Sequence, residues 1–187
     1  MKEHRSLSGS LIGCLLGFAF ISISSAAQTT AAWTWMGGSN LVDQPGVYGV
    51  LGTPNSANFP QGRYNSVSWT DSAGNLWLFG GRGYDAAVND TGVTLNDFWR
   101  YDPSDKEWTW VGGSSILPRG ANGWPGVYGT LGTPDAINIP GSRENASTWT
   151  DSSGNLWLFG GGGLDINGDQ TSLNDLCEFN PATSQWI

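Results

Sequence analysis

Two stretches of the chain carry four large apolar residues in a row before a glycine pair, Leu76-Trp77-Leu78-Phe79-Gly80-Gly81 and Leu156-Trp157-Leu158-Phe159-Gly160-Gly161. A run this short with no polar position inside it fits a strand covered on both faces, since a surface strand would alternate. The glycines remove two side chains where the run ends, opening backbone angles closed to other residues or letting a neighbouring backbone approach. Residues 64–70 and 144–150 read as preceding strands, and Asp71-Ser72-Ala73-Gly74 supplies a tight hairpin turn with glycine at the left-handed position. After a polar segment, 82–94, a third strand is expected over Leu95–Tyr101. Asp102-Pro103-Ser104-Asp105 then turns the chain into a fourth at Trp108–Val111, and Asn180-Pro181 repeats that turn in the second copy.

The two runs belong to a tandem repeat. Pro45–Gly81 aligns with Pro125–Gly161 without a gap, 25 of the 37 positions being identical. The phrase Trp33-Thr34-Trp35-Met36-Gly37-Gly38 returns as Trp108-Thr109-Trp110-Val111-Gly112-Gly113 and begins again at Trp186-Ile187. Four antiparallel strands per unit make one sheet of the size of a propeller blade. The expected fold is therefore all-β, two four-stranded antiparallel sheets of an incomplete propeller. Residues 28–40 form a strand completing a blade, 41–112 a first blade with a long Gly/Pro-punctuated connection, and 113–187 a second blade cut short in its last strand.

Composition agrees: 28 glycines and only 13% charged residues describe a turn-rich β protein, and 11 Trp, 7 Phe and 5 Tyr supply a core. Residues 1–27 differ in kind. Lys2 and Arg5 precede an apolar segment from Leu11 to Ile23 and then small residues, the pattern of a secretory signal peptide cleaved after Ala26 or Ala27. Cys14 superficially matches a lipoprotein box, but most of the apolar segment follows it. A secreted or periplasmic protein is expected, with no membrane span once the signal is gone. Losing Lys2, Arg5 and Glu3 takes the net charge from −8 to −9, which disfavours nucleic acid as a partner. The only histidine, His4, goes with the signal. Cys177 is left as the sole cysteine, so no intrachain disulfide forms, and its simplest role is that of a buried apolar filler.

A hydrophobic run ending in Gly-Gly, followed by Tyr101 and by Trp108 after six intervening residues, resembles the kelch repeat. Phe179 and Trp186 keep that separation in the second copy. The Trp-Thr-Trp-Met-Gly-Gly-Ser and Pro-Gly-Val-Tyr-Gly phrasing is similar to that of secreted bacterial kelch-repeat proteins, the galactose-oxidase-like propellers. The resemblance implies the fold and hardly any function. It also implies more blades than two, so the chain is expected to be the N-terminal part of a longer protein. Expressed alone, it is expected to oligomerise or precipitate through blade faces that lack neighbours.

The resemblance implies no copper site here, because galactose oxidase and its relatives hold copper with histidines and tyrosines and no histidine follows the signal. Nucleophile–histidine pairs are excluded for the same reason. No catalytic residue, cofactor or metal site is expected. Asp165-Ile166-Asn167-Gly168-Asp169 resembles the start of a calcium loop, but Gln170 stands where glycine belongs and Leu176 where the bidentate acid belongs, leaving a polar turn as the favoured reading. Arg63, Arg143, Asp97 and Asp175 recur in both copies, which favours ties between blades over the alternative of ligand-facing charges near a propeller axis, because a site is normally built once. Most tryptophans lie in strands, where core packing is expected, so Tyr48, Tyr128 and the unmatched Trp124 in the connections are the only aromatics to test for ligand contact. The expected function is binding or scaffolding, with an unknown protein or carbohydrate as partner. Part of a sugar-oxidising or mutarotase-like enzyme, with its active site in further blades, and a cell-surface adhesion module are the alternatives.

Overall fold

A computed structural model describes residues 31–85, 90–116 and 121–187. The signal-peptide reading of 1–27 lies outside the described residues. Among them the chain is all-β and forms two antiparallel sheets. The first comprises β1 (Arg63–Tyr64), β2 (Val67–Thr70), β3 (Leu76–Asp85), β4 (Asp90–Asp102) and β5 (Glu107–Gly112). The second comprises β6 (Arg143–Glu144), β7 (Ser147–Thr150), β8 (Leu156–Leu164), β9 (Gln170–Asn180) and β10 (Gln185–Trp186). Each sheet amounts to four strands, because β1 and β2, like β6 and β7, are halves of one strand lying on the same partner. The breaks fall at Asn65 and Asn145, both with φ of 55°, a left-handed angle that asparagine tolerates and a ladder does not.

The hairpin turn forms as its residues dictate. Gly74 takes φ 87°, its N–H bonds the Asp71 carbonyl at 3.0 Å, and the Asp71 carboxylate accepts from the N–H groups of Ala73 and Asn75 and from Trp77 Nε1. Asp151 repeats these contacts with Ser153, Asn155 and Trp157. The glycine pair does not end its strand. β3 and β8 run on to Asp85 and Leu164 through a bulge between Phe79 and Gly81 and between Phe159 and Gly161. The polar segment expected as a connection thus extends β3 and β4, its ladder including Arg82↔Thr94 and Gly83↔Val93. Gly80 has φ of 61°, and a Cβ there would lie 2.5 Å from the Arg143 carbonyl oxygen of the other sheet.

The apolar runs are covered on one face each, not two. Trp77 and Phe79 of β3 are buried while Leu76 is 44% exposed; in β8 Leu156 and Leu158 are buried while Phe159 is 45% exposed. The phases are opposite because the sheets stack on each other through opposite faces. Between them lies the main core, with Phe98 on Phe179 (4.7 Å, edge-on), Trp77 near Phe179 (5.3 Å) and Phe79 near Trp186 (5.8 Å). Trp69 Nε1 donates to the Trp157 carbonyl at 2.9 Å and Asn145 N–H to the Asn65 carbonyl at 3.0 Å. Each buried Phe, Leu or Trp contributes roughly 1.5–3 kcal/mol.

Residues 31–40 form no strand, so the N-terminal strand expected within 28–40 is absent among the described residues. The equivalent phrase at Trp108–Gly112 is a strand because β4 lies beside it. Among the described residues no strand is laddered to residues 31–40, and a strand exists only as part of a ladder.

Candidate functional site

The recurring arginines and aspartates are brought together within each sheet. Arg63 and Asp97 form a two-pronged pair, both contacts 2.6 Å, with side chains 6% and 0% exposed. Arg63 Nε and Nη groups also donate to the carbonyls of Gln61 and Gly80 and to Gln61 Oε1, so all five guanidinium hydrogens are engaged. Asp97 Oδ2 further accepts from Tyr48 Oη at 2.8 Å and Trp99 Nε1 at 2.6 Å. In the second sheet Arg143 pairs with Asp175 at 2.7 Å twice, and Tyr128 Oη donates to Asp175. Gly141 stands where Gln61 does, and Asp175 keeps 19% exposure.

Burial and the neighbouring carboxylates raise the Tyr48 and Tyr128 hydroxyls well above the ordinary phenol range. Burial works against the Asp175 carboxylate, but Arg143 outweighs it and holds its pKa below 3.8. These arrangements tie the long connections to their sheets, since Tyr48 and Tyr128 lie in the connections and Asp97 and Asp175 in β4 and β9. Both tyrosine hydroxyls thereby serve as scaffolding.

Cys177 lies in the core between the sheets, where burial, with Asp175 beside it, pushes its thiol up to about 12. Asp165 accepts from the N–H groups of Asn167 and Asp169 at 2.8 and 2.9 Å, which draws its pKa down through the Asp169 contact first. Its oxygens cap their own turn. Among the described residues no three His, Cys, Asp or Glu side chains gather as metal ligands.

The third aromatic singled out, Trp124, is differently placed. It packs on Val93 and Leu95 of β4, donates from Nε1 to the Ile116 carbonyl at 2.8 Å, and forms part of the wall of a cleft of about 390 Å³. The cleft lies where the second connection crosses the seam between the sheets. Phe98, Val111, Ile139, Phe179 and Trp186 give it an apolar wall; Asn96 and Asn138 bring amides to it. That volume and mixture suit a small ligand or an inserted side chain. Ser114 and Ser184 bring hydroxyls to it, and that of Ser114 donates to the Ile116 carbonyl at 2.6 Å. Sequence reasoning missed it, because Val111, Ile139 and Phe179 carry no motif and meet only through the stacking of two sheets.

No family model matches the chain, and no curated protein matches it. Among solved structures it is similar to one titled "Structure of YjhT", at 20% identity and a TM-score of 0.43, over 70% of this chain and 38% of that one. The chain therefore spans well under half the length of that structure.

Proposed function

We propose that the chain is a secreted kelch-repeat propeller module that binds a protein or carbohydrate group in the cleft between its sheets and performs no chemistry there. The observation that carries this reading is the cleft itself, an apolar wall that includes Trp186, with two amides and the Trp124 indole at its side. The Gly-Gly, Tyr/Phe and Trp spacing of both repeats supports the kelch assignment, and the Lys2–Ala27 pattern supports export.

Trp124 and Trp186 both line the cleft, so occupancy changes tryptophan emission. Titration with a panel of neutral oligosaccharides and with an unstructured Leu/Phe-containing peptide should give a saturable change for one of the two classes. Ile137→Arg, at a position 69% exposed on the cleft wall, should abolish it. Silence from both classes, or a change that survives Ile137→Arg, would refute the cleft as the binding site. N-terminal sequencing of the exported protein should begin at Ala27 or Gln28.

A further inference from the structure

The repeat makes the two outer faces of the sheet pair complementary. The inner face of the first sheet presents Trp69, Trp77, Phe79 and Phe98, and the repeat places Trp149, Trp157, Phe159 and Leu176 at those positions on the outer face of the second. Trp149, Phe159 and Leu176 are 44, 45 and 53% exposed. Conversely, the inner face of the second sheet presents Leu156, Leu158, Phe179 and Trp186, whose equivalents on the outer face of the first are Leu76, Leu78, Tyr101 and Trp108. Each outer face thus carries the residue types of the inner face that meets its counterpart at the seam, except that Ser147 stands for Val67 and the buried Trp99 for Cys177.

We propose that successive copies of this chain dock head to tail through these faces, the second sheet of one on the first sheet of the next, repeating the internal seam. The occupant is a second copy because the polar contacts of the seam also have their equivalents. Trp69 Nε1 bonds the Trp157 carbonyl; Trp149 can bond the Trp77 carbonyl of the next copy. Thr148 and Thr150 donate to the carbonyls of Ser68 and Thr70; Ser68 and Thr70 of the next copy can donate to those of Thr148 and Thr150.

The bulge glycine gives the sharpest sign. At Gly80 the neighbouring sheet brings the Arg143 carbonyl to 2.5 Å from an added Cβ, whereas at Gly160 the contacts within 4 Å come only from Leu173. The space beside Gly160 is where the Arg63 carbonyl of a second copy belongs. The Arg82–Glu144 ion pair and the bond from Asn65 Nδ2 to Glu144 lack counterparts, Gly162 and Tyr64 standing where Arg82 and Glu144 do.

A heterologous interface of this kind closes into a ring when its rotation permits. Propellers of about four to eight blades correspond to rings of two to four copies of this chain, a size that rests on the propeller reading, whereas the docking rests on the faces alone. Light scattering coupled to size exclusion of the full chain should give one discrete species of two to four copies. Leu76→Asp and Phe159→Asp each spoil one face at an exposed position, so each variant should be a folded monomer by circular dichroism. Mixed in equal amounts, they should form a dimer and nothing larger, because one intact face remains on each. A monomeric wild type, failure of the mixed variants to pair, or pairing of either variant with itself would overturn the head-to-tail docking. A discrete species larger than four copies whose variants still pair on mixing would leave the docking standing and overturn the ring size with the propeller reading.

Discussion

Replacing Asp97 with Asn removes one charge and almost no volume from an ionic contact whose two side chains are 6% and 0% exposed. At 2.6 Å and an effective dielectric of about 20, the attraction between Arg63 and Asp97 is about 6 kcal/mol before desolvation is subtracted. Removing one partner leaves a guanidinium that is 6% exposed without its counter-charge, and buried pairs broken in this way lose about 3–5 kcal/mol. Asp175→Asn also strands its guanidinium, Arg143 being 0% exposed, but should cost less, about 1–3 kcal/mol, because water already reaches the 19% exposed Asp175 and a thiol at 3.8 Å replaces the indole that Asp97 holds. Urea unfolding followed by circular dichroism and by tryptophan emission would give both values, with unchanged slopes showing that only stability moved. The double change Arg63→Met with Asp97→Leu should recover part of the loss, since two apolar groups leave no stranded charge, though Tyr48 and Trp99 still lose an acceptor. A loss below about 1 kcal/mol for Asp97→Asn, or an equal loss at Asp175, would refute the claim that enclosure sets the strength of these pairs.

Three further outcomes follow from the same contacts. Gly80→Ala should cost at least about 2 kcal/mol by thermal melting, combining a left-handed alanine with a backbone oxygen 2.5 Å from its Cβ; an unaltered melting temperature would deny the close approach of the sheets. Asp175 and Asp71 have pKa values below 3.8 when folded, so their contribution is complete above the unfolded value and disappears as pH falls through the folded one. Unfolding free energy measured against pH should accordingly be level above about pH 5 and decline below about pH 4, and a decline beginning near neutrality would contradict this. The Cys177 thiol, raised to about 12, should react with a disulfide reagent at pH 8 only after urea unfolds the chain. Prompt reaction of the folded protein would place it outside the core.

What could be read from residues alone was the chemistry that acts over a few positions. Asp71 and Gly74 announced their turn, the duplicated Leu-to-Gly-Gly run announced its strand, and the recurrence of Arg63 and Asp97 announced scaffolding before their contact was visible. Cys177 was legible as a core filler because tryptophan holds the equivalent position. The kink at Asn65 was not, since nothing in Tyr-Asn-Ser demands φ above zero. Burial on both faces was expected of Leu76–Phe79 and is met on one, because cover depends on which neighbours are present. The partners of the Tyr48 and Tyr128 hydroxyls were not legible, since they are carboxylates 49 and 47 residues away. The cleft was illegible for the same reason, being a gap between surfaces rather than a string of side chains.

The clasp between Asp71 and Trp77 has a bearing on how the chain avoids error. Two nearly identical hairpins in one polypeptide offer each other counterfeit strands, for β2 could align with β8 almost as well as with β3. Native pairing joins Trp69 to Trp77, eight positions on, while the counterfeit would join it to Trp157, 88 positions on. Closing the longer loop costs about 2 kcal/mol more in chain entropy, and short loops close in about 10–100 ns. A carboxylate that grips its own indole and its own turn rewards the near match at once, so each hairpin is sorted before its twin comes within reach.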